Sequence, residues 1–289
     1  MSGKKNNSRK RKSIIKTRHL LLFFLALFVT AGIFFYNELS TDVFQSMKDV
    51  HHKKGAERET AKQASQHAKM RVPEVAIVID DLGPSRKPVL RLFEIKAPIT
   101  LSVLPGEPHS AWIADEGHRL GYDVIAHIPM EAKEPQKLGE GGLYTWMTDE
   151  EIRDTLSREI ELMPYIDGVS NHMGSAFTED ERSMKVLMTV LKERGLFFLD
   201  SLTTSRSVGE NIARAKEIRL IKRDIFLDNN GSQSSLEAGW KKLIGIAHSK
   251  GRAIALAHPK ESTIEFLEKA LRNNEVKVVP LSKISGISR

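Results

Sequence analysis

A short apolar run, VAIVI from Val75, ends in two carboxylates, and runs of the same kind recur along the chain. They begin at Ile99 (ITLSVL), Tyr122 (YDVIAHI), Gly168 (GVSNH), Leu196 (LFFLD), Arg219 (RLIKRDIFL), Ala253 (AIALAH) and Val276 (VKVVPL). Their length and β-branched or aromatic content predict strands. Between them, apolar residues recur at helical spacing. Thr148 and Glu151 read as a capping box ahead of Ile152, Leu156 and Ile160. Thr178 and Glu181 repeat that spacing ahead of Met184, Leu187, Met188 and Leu191, and Gly195 closes the helix. Further helices are predicted over 236–249, ending at Gly251, and over 264–272. Strands alternating with helices imply parallel pairing through crossovers, an α/β class. Seven or eight such strands make a barrel the leading architecture and an open doubly wound sheet the alternative. Either way, the active surface lies at the carboxyl ends of the strands.

The amino-terminal residues follow a different pattern. Leu20 to Tyr36 is an uncharged apolar stretch, close to the ~17–25 residues that span a bilayer as a helix. Lys4, Lys5, Arg9, Lys10, Arg11, Lys12, Lys16 and Arg18 precede it and carry the chain's whole basic excess, a formal net charge of +7. The remainder is near neutrality, so no nucleic-acid partner is expected despite the high pI. A basic flank ahead of an apolar span orients the amino terminus to the cytoplasm. The expected organisation is a basic tail over 1–19, a signal anchor over 20–36, a polar linker over 37–71 and one α/β domain over 72–289. A cleaved secretory signal is the alternative to the anchor. Cysteine is absent, so no disulfide staples the chain.

Candidate chemistry gathers at the predicted strand ends. Asp80 and Asp81 follow the first strand, His109 lies past the second, His127 closes the third, and Asn171 with His172 closes the fourth. Asp200 ends the fifth, Asp224 and Asp228 lie in and beyond the sixth, and His258 ends the seventh. Two adjacent ionised carboxylates repel, so either one keeps a proton or a cation compensates them. A divalent metal meets that need, with one aspartate as ligand and the other free to accept a proton. The bland reading is an Asx-turn or a helix cap ahead of Gly83 and Pro84. His127 as a core histidine and His172 as a turn residue are equally ordinary. One shared site accounts for all of them more economically.

The ordered series IDDLG, AHIPME, NHMGS, LDS, RDIFLDN and AHP resembles the divergent polysaccharide deacetylase family across Val72 to Leu281. The resemblance implies a distorted (β/α)7-type barrel on the outer, periplasmic side of the inner membrane. It also implies removal of N-acetyl groups from a polysaccharide by a metal-dependent hydrolase acting on C–N amide bonds. By that resemblance Asp81 is a ligand of a divalent metal, usually zinc, Asp80 is the base and His258 the acid. The superfamily's paired histidines lie close together on one segment after the third strand. Here that region offers only His127, and His172 from the fourth strand completes the set.

With a metal present, water is acidified to near pKa ~7 and attacks the acetamide carbonyl. Asp80 takes the proton and His258 protonates the leaving amine. Asn171, Asp200, Asp224 and Asp228 are expected to orient the histidines or to contact the sugar. Trp112, Tyr144 and Trp146 are candidates for a sugar-stacking wall, and the loop Glu131 to Trp146 for a flap. Peptidoglycan is the polymer nearest to a domain so anchored. The competing expectation is a cell-envelope scaffold or regulator that keeps the barrel without turnover.

Overall fold

The computed structural model describes residues 27–30, 32–33, 72–273 and 275–285. The chain divides into two units, Met1–His67 and Ala68–Arg289. In the first, residues 27–30 and 32–33 are helical. The rest of the expected anchor over 20–36, and all of the linker over 37–71, lie outside the described residues. No helix among the described residues is long and apolar enough to cross a membrane.

In the second unit strands and helices alternate. The first half runs β1 (Glu74–Leu82), α1 (Lys87–Glu94), β2 (Thr100–Val103), α2 (Ser110–Arg119), β3 (Val124–Met130), α3 (Asp149–Glu161), β4 (Gly168–Met173) and α4 (Glu181–Arg194). The second half runs β5 (Phe197–Asp200), α5 (Gly209–Lys216), β6 (Leu220–Lys222), β7 (Ile225–Phe226), α6 (Gln233–Lys250), β8 (Arg252–Ala257), α7 (Glu261–Ala270), β9 (Lys277–Val278) and α8 (Leu281–Ser285). The strands pair in the order β6-β5-β4-β3-β2-β1-β8-β7, and β9 pairs with the start of β1. Every pairing is parallel.

That order forces the sheet to curl. β6 and β7 stand at opposite ends of it, yet only Arg223 and Asp224 separate them. A flat sheet of eight strands would hold them about 34 Å apart at the usual inter-strand spacing. Three residues reach only about 10 Å. A single extended stretch is therefore shared between two neighbours, with Leu199 opposite Ile221 at one end and Phe226 opposite Leu256 at the other. The strand expected from Arg219 onward is real but divided, because its first part bonds β5 and its second part bonds β8.

Side chains alternate across the curled sheet, as a strand requires. Val75, Ile77 and Ile79 of β1 pack outward in the larger core with the helices. Ala76 and Val78 point inward, into a second cluster with Ile125, Phe197, Leu199, Ile221, Ile254, Leu256 and Leu281. Gly168 belongs to the inner face, where a Cβ would lie 2.7 Å from the Phe197 ring. The amino end of this inner core is closed by the carboxy-terminal segment. Leu281 there donates its N–H to Thr100 Oγ1, and Ser282 bonds the buried Asp123 through both N–H and hydroxyl.

The helix ends match the sequence in part. Thr148 and Glu151 form the capping box, an arrangement whose cap is worth about 1 kcal/mol. Gly195 and Gly251 close α4 and α6 in the left-handed conformation. Thr178 does not cap α4. Asp180 does, accepting the Ser183 N–H, while the Thr178 hydroxyl donates to the Gly174 carbonyl. An aspartate two residues nearer the helix outcompetes the expected threonine. Helices α6 and α7 each start three residues earlier than their apolar spacing indicates, α6 behind a Ser232 cap.

Candidate active site

The inward alternation that buries Ala76 and Val78 brings Asp80 to the carboxyl end of the curl. The same alternation leads from Ile125 to His127, from Gly168 through Ser170 to His172, and from Leu256 to His258. Asp81 by this rule should face the helices. It does not, because the β1–β2 register shifts between Ile79 and Leu82 and Asp81 takes a positive φ of 57°. A bulge of this kind re-aims a side chain, and aspartate tolerates the left-handed region better than most residues. Next in the chain, Gly83 has a φ of 137°, and a Cβ there would meet Glu107 and Ser110 at 2.8 Å. Met173 and Leu202, at the ends of β4 and β5, also have positive φ. Three of the six non-glycine residues with positive φ among the described residues thus lie at this rim, the others being Lys96, Tyr165 and Glu217.

Asp81 is the hub of the site. His127 Nε2 lies 3.2 Å and His172 Nδ1 2.8 Å from Asp81 Oδ1, and these three donor atoms all fall within 4.8 Å of one another. His258 Nε2 lies 3.8 Å from Asp81 Oδ2. Burial by itself raises the Asp81 pKa, but the adjacent His127 and His172 outweigh it and hold the carboxyl far below its usual range. Proximity does not amount to hydrogen bonding, since Asp81 Oδ1 is buried without a hydrogen-bond partner. Asp80 Oδ1 is the other buried side-chain oxygen left unpaired among the described residues. It stands 3.6 Å from His127 Nδ1. Burial raises the Asp80 pKa, opposed in part by the nearby His127 imidazole and Ser102 hydroxyl.

This donor set fits a small divalent cation. Two ligand atoms on a tetrahedral zinc stand roughly 3.3 Å apart given bond lengths near 2 Å. The His127 distance to Asp81 Oδ1, 3.2 Å, matches that spacing and the His172 distance, 2.8 Å, falls short of it by about half an ångström, and two imidazoles with one carboxylate are a usual ligand combination for zinc. Orphaned carboxylate oxygens are what a cation would satisfy.

His258 is held from behind. Its Nδ1 lies 2.9 Å from Asp228 Oδ1, and its backbone N–H donates to Asp228 Oδ2. Thr263 donates to the same oxygen, and Lys260 to the Asp228 carbonyl. The hydrogen bond to the Asp228 carboxylate raises the His258 pKa. Burial raises that of Asp228, but its bonds to His258 prevail and lower it. The His258 ring stacks on Phe226, whose face carries the Arg223 guanidinium at 3.9 Å. Arg223 in turn donates to the Ser201 and Leu202 carbonyls, tying β5 to the divided strand.

The remaining candidates lie apart from the hub. Asn171 points the other way from His172, donating to the Met173 carbonyl and accepting the Ser201 N–H. Asp200 bends the next loop by accepting from Leu202 N–H and the Ser207 hydroxyl. Asp224 pairs with Lys250 and caps the Ile254 N–H at the divided strand, so it neither orients a histidine nor faces the mouth. His109 ends its loop at the N-cap of α2. Tyr144 and Trp146 stack on each other, with Trp146 exposed, whereas Trp112 lies under the Arg86 guanidinium. Glu179 joins the rim loops, accepting from Lys133, Thr204 and Arg206, and its pKa falls to about 2, mainly through Lys133.

A cleft of about 380 Å³ opens beside Asp81, between the loop after β1 and the one after β8, with Pro84, Pro88 and Pro259 as walls and Lys87 and Glu261 at its edge. A larger cleft of about 810 Å³, lined by Asp149, Arg153 and Arg182 among others, holds no such donor cluster. Chemistry rather than size selects the smaller one. Ser102 and Ser170 are the functional neighbours that residue-type reasoning passed over. Strand alternation in ITLSVL and GVSNH puts both on the inner face with the histidines.

A parallel curled α/β sheet with this strand-end site defines a deacetylase-like barrel class, and the chain belongs to the divergent polysaccharide deacetylase family, whose model matches residues 77–285. It is 36% identical over 200 residues to an uncharacterised protein of Haemophilus influenzae, covering 69% of this chain and 71% of that one. It is 30% identical over 200 residues to the uncharacterised protein YibQ of Escherichia coli K12, again over 69% of this chain but only 63% of the relative. Among solved structures, an uncharacterised protein of Agrobacterium tumefaciens C58 matches with a TM-score of 0.70 and 24% identity, covering 74% of this chain and 89% of that one. That last likeness concerns the fold.

Proposed function

We propose that the domain is a metal-dependent hydrolase that removes N-acetyl groups from a cell-envelope polysaccharide, with the divided strand as the seventh stave of a distorted (β/α)7 barrel. The observation that carries this reading is the convergence of Asp81, His127 and His172 beside a buried second carboxylate and a carboxylate-oriented imidazole. Asp81 Oδ1, His127 Nε2 and His172 Nδ1 would hold the cation, with zinc the best match to the donor set. Such a cation supplies a Lewis acid for the acyl oxygen and makes water nucleophilic near neutral pH.

The chain's own residues do the rest. Asp80, whose pKa burial raises, accepts the proton of the attacking water. His258 delivers a proton from Nε2 to the leaving amine, and its raised pKa keeps that proton available toward neutral pH. Asp228 holds the other nitrogen, so Nε2 faces the site. The proline-walled cleft seats the sugar next to Asp81, with Lys87 and Glu261 in reach of its hydroxyls.

Metal analysis of the purified protein, followed by acetate release from N-acetylated glycans including peptidoglycan fragments, tests the reading. Bound zinc with acetate release supports it. A metal-free protein, or a loaded one that releases no acetate from any such glycan, makes it a non-catalytic envelope scaffold. The basic flank and the apolar run over 20–36 support an inner-membrane anchor with the barrel on the periplasmic side. Reporter fusions after Gly55 are then active only outside the cytoplasm, and cytoplasmic activity rules the anchor out.

A further inference from the structure

We propose that the end of the domain opposite the site docks on an anionic bilayer surface, with Leu120, Leu162 and Tyr165 entering the headgroup layer and the mouth turned away. Strands and helices alternate, so each helix runs from the mouth back to the end where the next strand begins. Leu120 stands there between α2 and β3, and Leu162 and Tyr165 between α3 and β4. The two connections are neighbours, because β3 pairs with β4 and the Tyr165 ring stacks on His118 with centroids 4.3 Å apart. The three apolar side chains are 43%, 48% and 60% exposed in that order. One exposed leucine is ordinary, whereas three large apolar groups at one corner form a patch. Tyr165 also has a positive φ of 61°, uncommon for a bulky residue, so strain is accepted at a position whose ring stays in solvent.

Charge selects the partner. Lys192, Arg194, Lys216, Arg219, Lys250 and Arg252 lie in or beside the next connections at the same end, from α4 to β8. This basic arc adjoins the patch, since Arg194 reaches Glu161, one residue before Leu162, at 2.9 Å. Lys192 and Lys250 also have acidic partners, Glu217 and Asp224. Arg219 and Arg252 instead donate to the Gly195 and Ile284 carbonyls. A cation in the last turn of a helix commonly serves that helix's own carbonyls. Arg219 and Arg252 stand at the starts of strands, where no helix end calls for them. The mouth has the opposite sign, with acidic residues opening α3, α4, α5 and α7 on that side. An anionic surface therefore attracts one end of the domain and repels the other, which sets its orientation. Leucine and tyrosine bordered by arginine and lysine suit an interfacial layer, the apolar tips among the headgroups and the cations at the phosphates. Val72, 54% exposed ahead of β1, belongs to the same end, so the proposed anchor precedes the domain in the chain on this side.

This docking rests on the anchored reading and adds an orientation to it. The chain has no cysteine, so a single introduced thiol is its only labelling point. Leu120→Cys, Leu162→Cys and Tyr165→Cys are labelled with an environment-sensitive fluorophore in the full chain. Trp146→Cys, between β3 and α3 on the mouth side, is the control. The proteins are reconstituted into nanodiscs of phosphatidylcholine and phosphatidylglycerol that contain nitroxide-labelled lipid. Quenching is expected to be several-fold stronger at 120, 162 and 165 than at 146. Discs of phosphatidylcholine alone, or Arg219→Glu with Arg252→Glu in the same chain, are expected to remove most of that difference. Equal quenching at all four positions overturns the docking, and so does a blue-shifted label at 165 that lipid does not quench, which marks a protein partner. Quenching indifferent both to phosphatidylglycerol and to the charge reversals overturns the anionic surface. Should Tyr165→Cys not fold, Leu120→Cys and Leu162→Cys carry the test. A chain that stays out of the discs refutes the anchor, while the same labels read on added phosphatidylglycerol vesicles still decide the docking.

Discussion

Acetate release by the Asp80→Asn protein is expected to fall roughly 10²–10⁴-fold, the usual cost of losing a general base, with bound metal retained. Asparagine keeps the size of the buried side chain and removes its ability to take a proton. The neighbouring Asp81 carries the contacts to His127 and His172, and nothing in that set depends on a charge at position 80. Metal content and acetate release, measured on the same preparation, separate the two aspartates. Loss of metal in Asp80→Asn would mean that both carboxylates ligate and would sink the division of labour argued here.

The second large effect belongs to Asp81→Ala. Zinc affinity is expected to drop by more than the roughly 10–100-fold typical of an outer-shell change, and acetate release to disappear with it. Asp81 supplies the one carboxylate oxygen around which both imidazole nitrogens gather. Without it two histidines remain on neighbouring strands with no carboxylate shared between them. The left-handed backbone at this position is indifferent or hostile to alanine, so thermal denaturation is measured alongside. His172→Ala, whose backbone carries no such strain, gives the matched control. A variant lacking Asp81 that folds and binds zinc as the wild type does would remove Asp81 from the site.

The parallel α/β class, the strands and the identity of the converging residues were legible because they depend on period and residue type. Asp80, His127, His172 and His258 all sit where a period of two carries an apolar inner face to a polar end. Asp81 was legible only as a residue, since its side chain reaches the site through a register shift that no local pattern announces. The division of the strand after Lys222 was hidden for a similar reason. Whether a continuous apolar stretch pairs with one neighbour or two depends on how tightly the sheet curls, which is a property of every strand at once. Asp224 shows the opposite failure, an aspartate of the right type near a strand end whose partners turn out to be Lys250 and the Ile254 N–H. Asn171 and Asp200 likewise spend their hydrogen bonds on backbone at the ends of β4 and β5. Residue type cannot tell a side chain that holds a loop from one that faces a substrate.

The first strand starts with Glu74 on the side of the sheet remote from Asp80, and α8 closes that same side through Leu281 and Ser282. The start of its first strand and its last helix thus both lie at the back of the described domain. A domain coupled to a sensor chip or bead through that back face would present its proline-walled mouth to the flowing solution. Long, insoluble glycan strands, which cannot diffuse into a randomly oriented layer, could then be presented to it as the mobile phase.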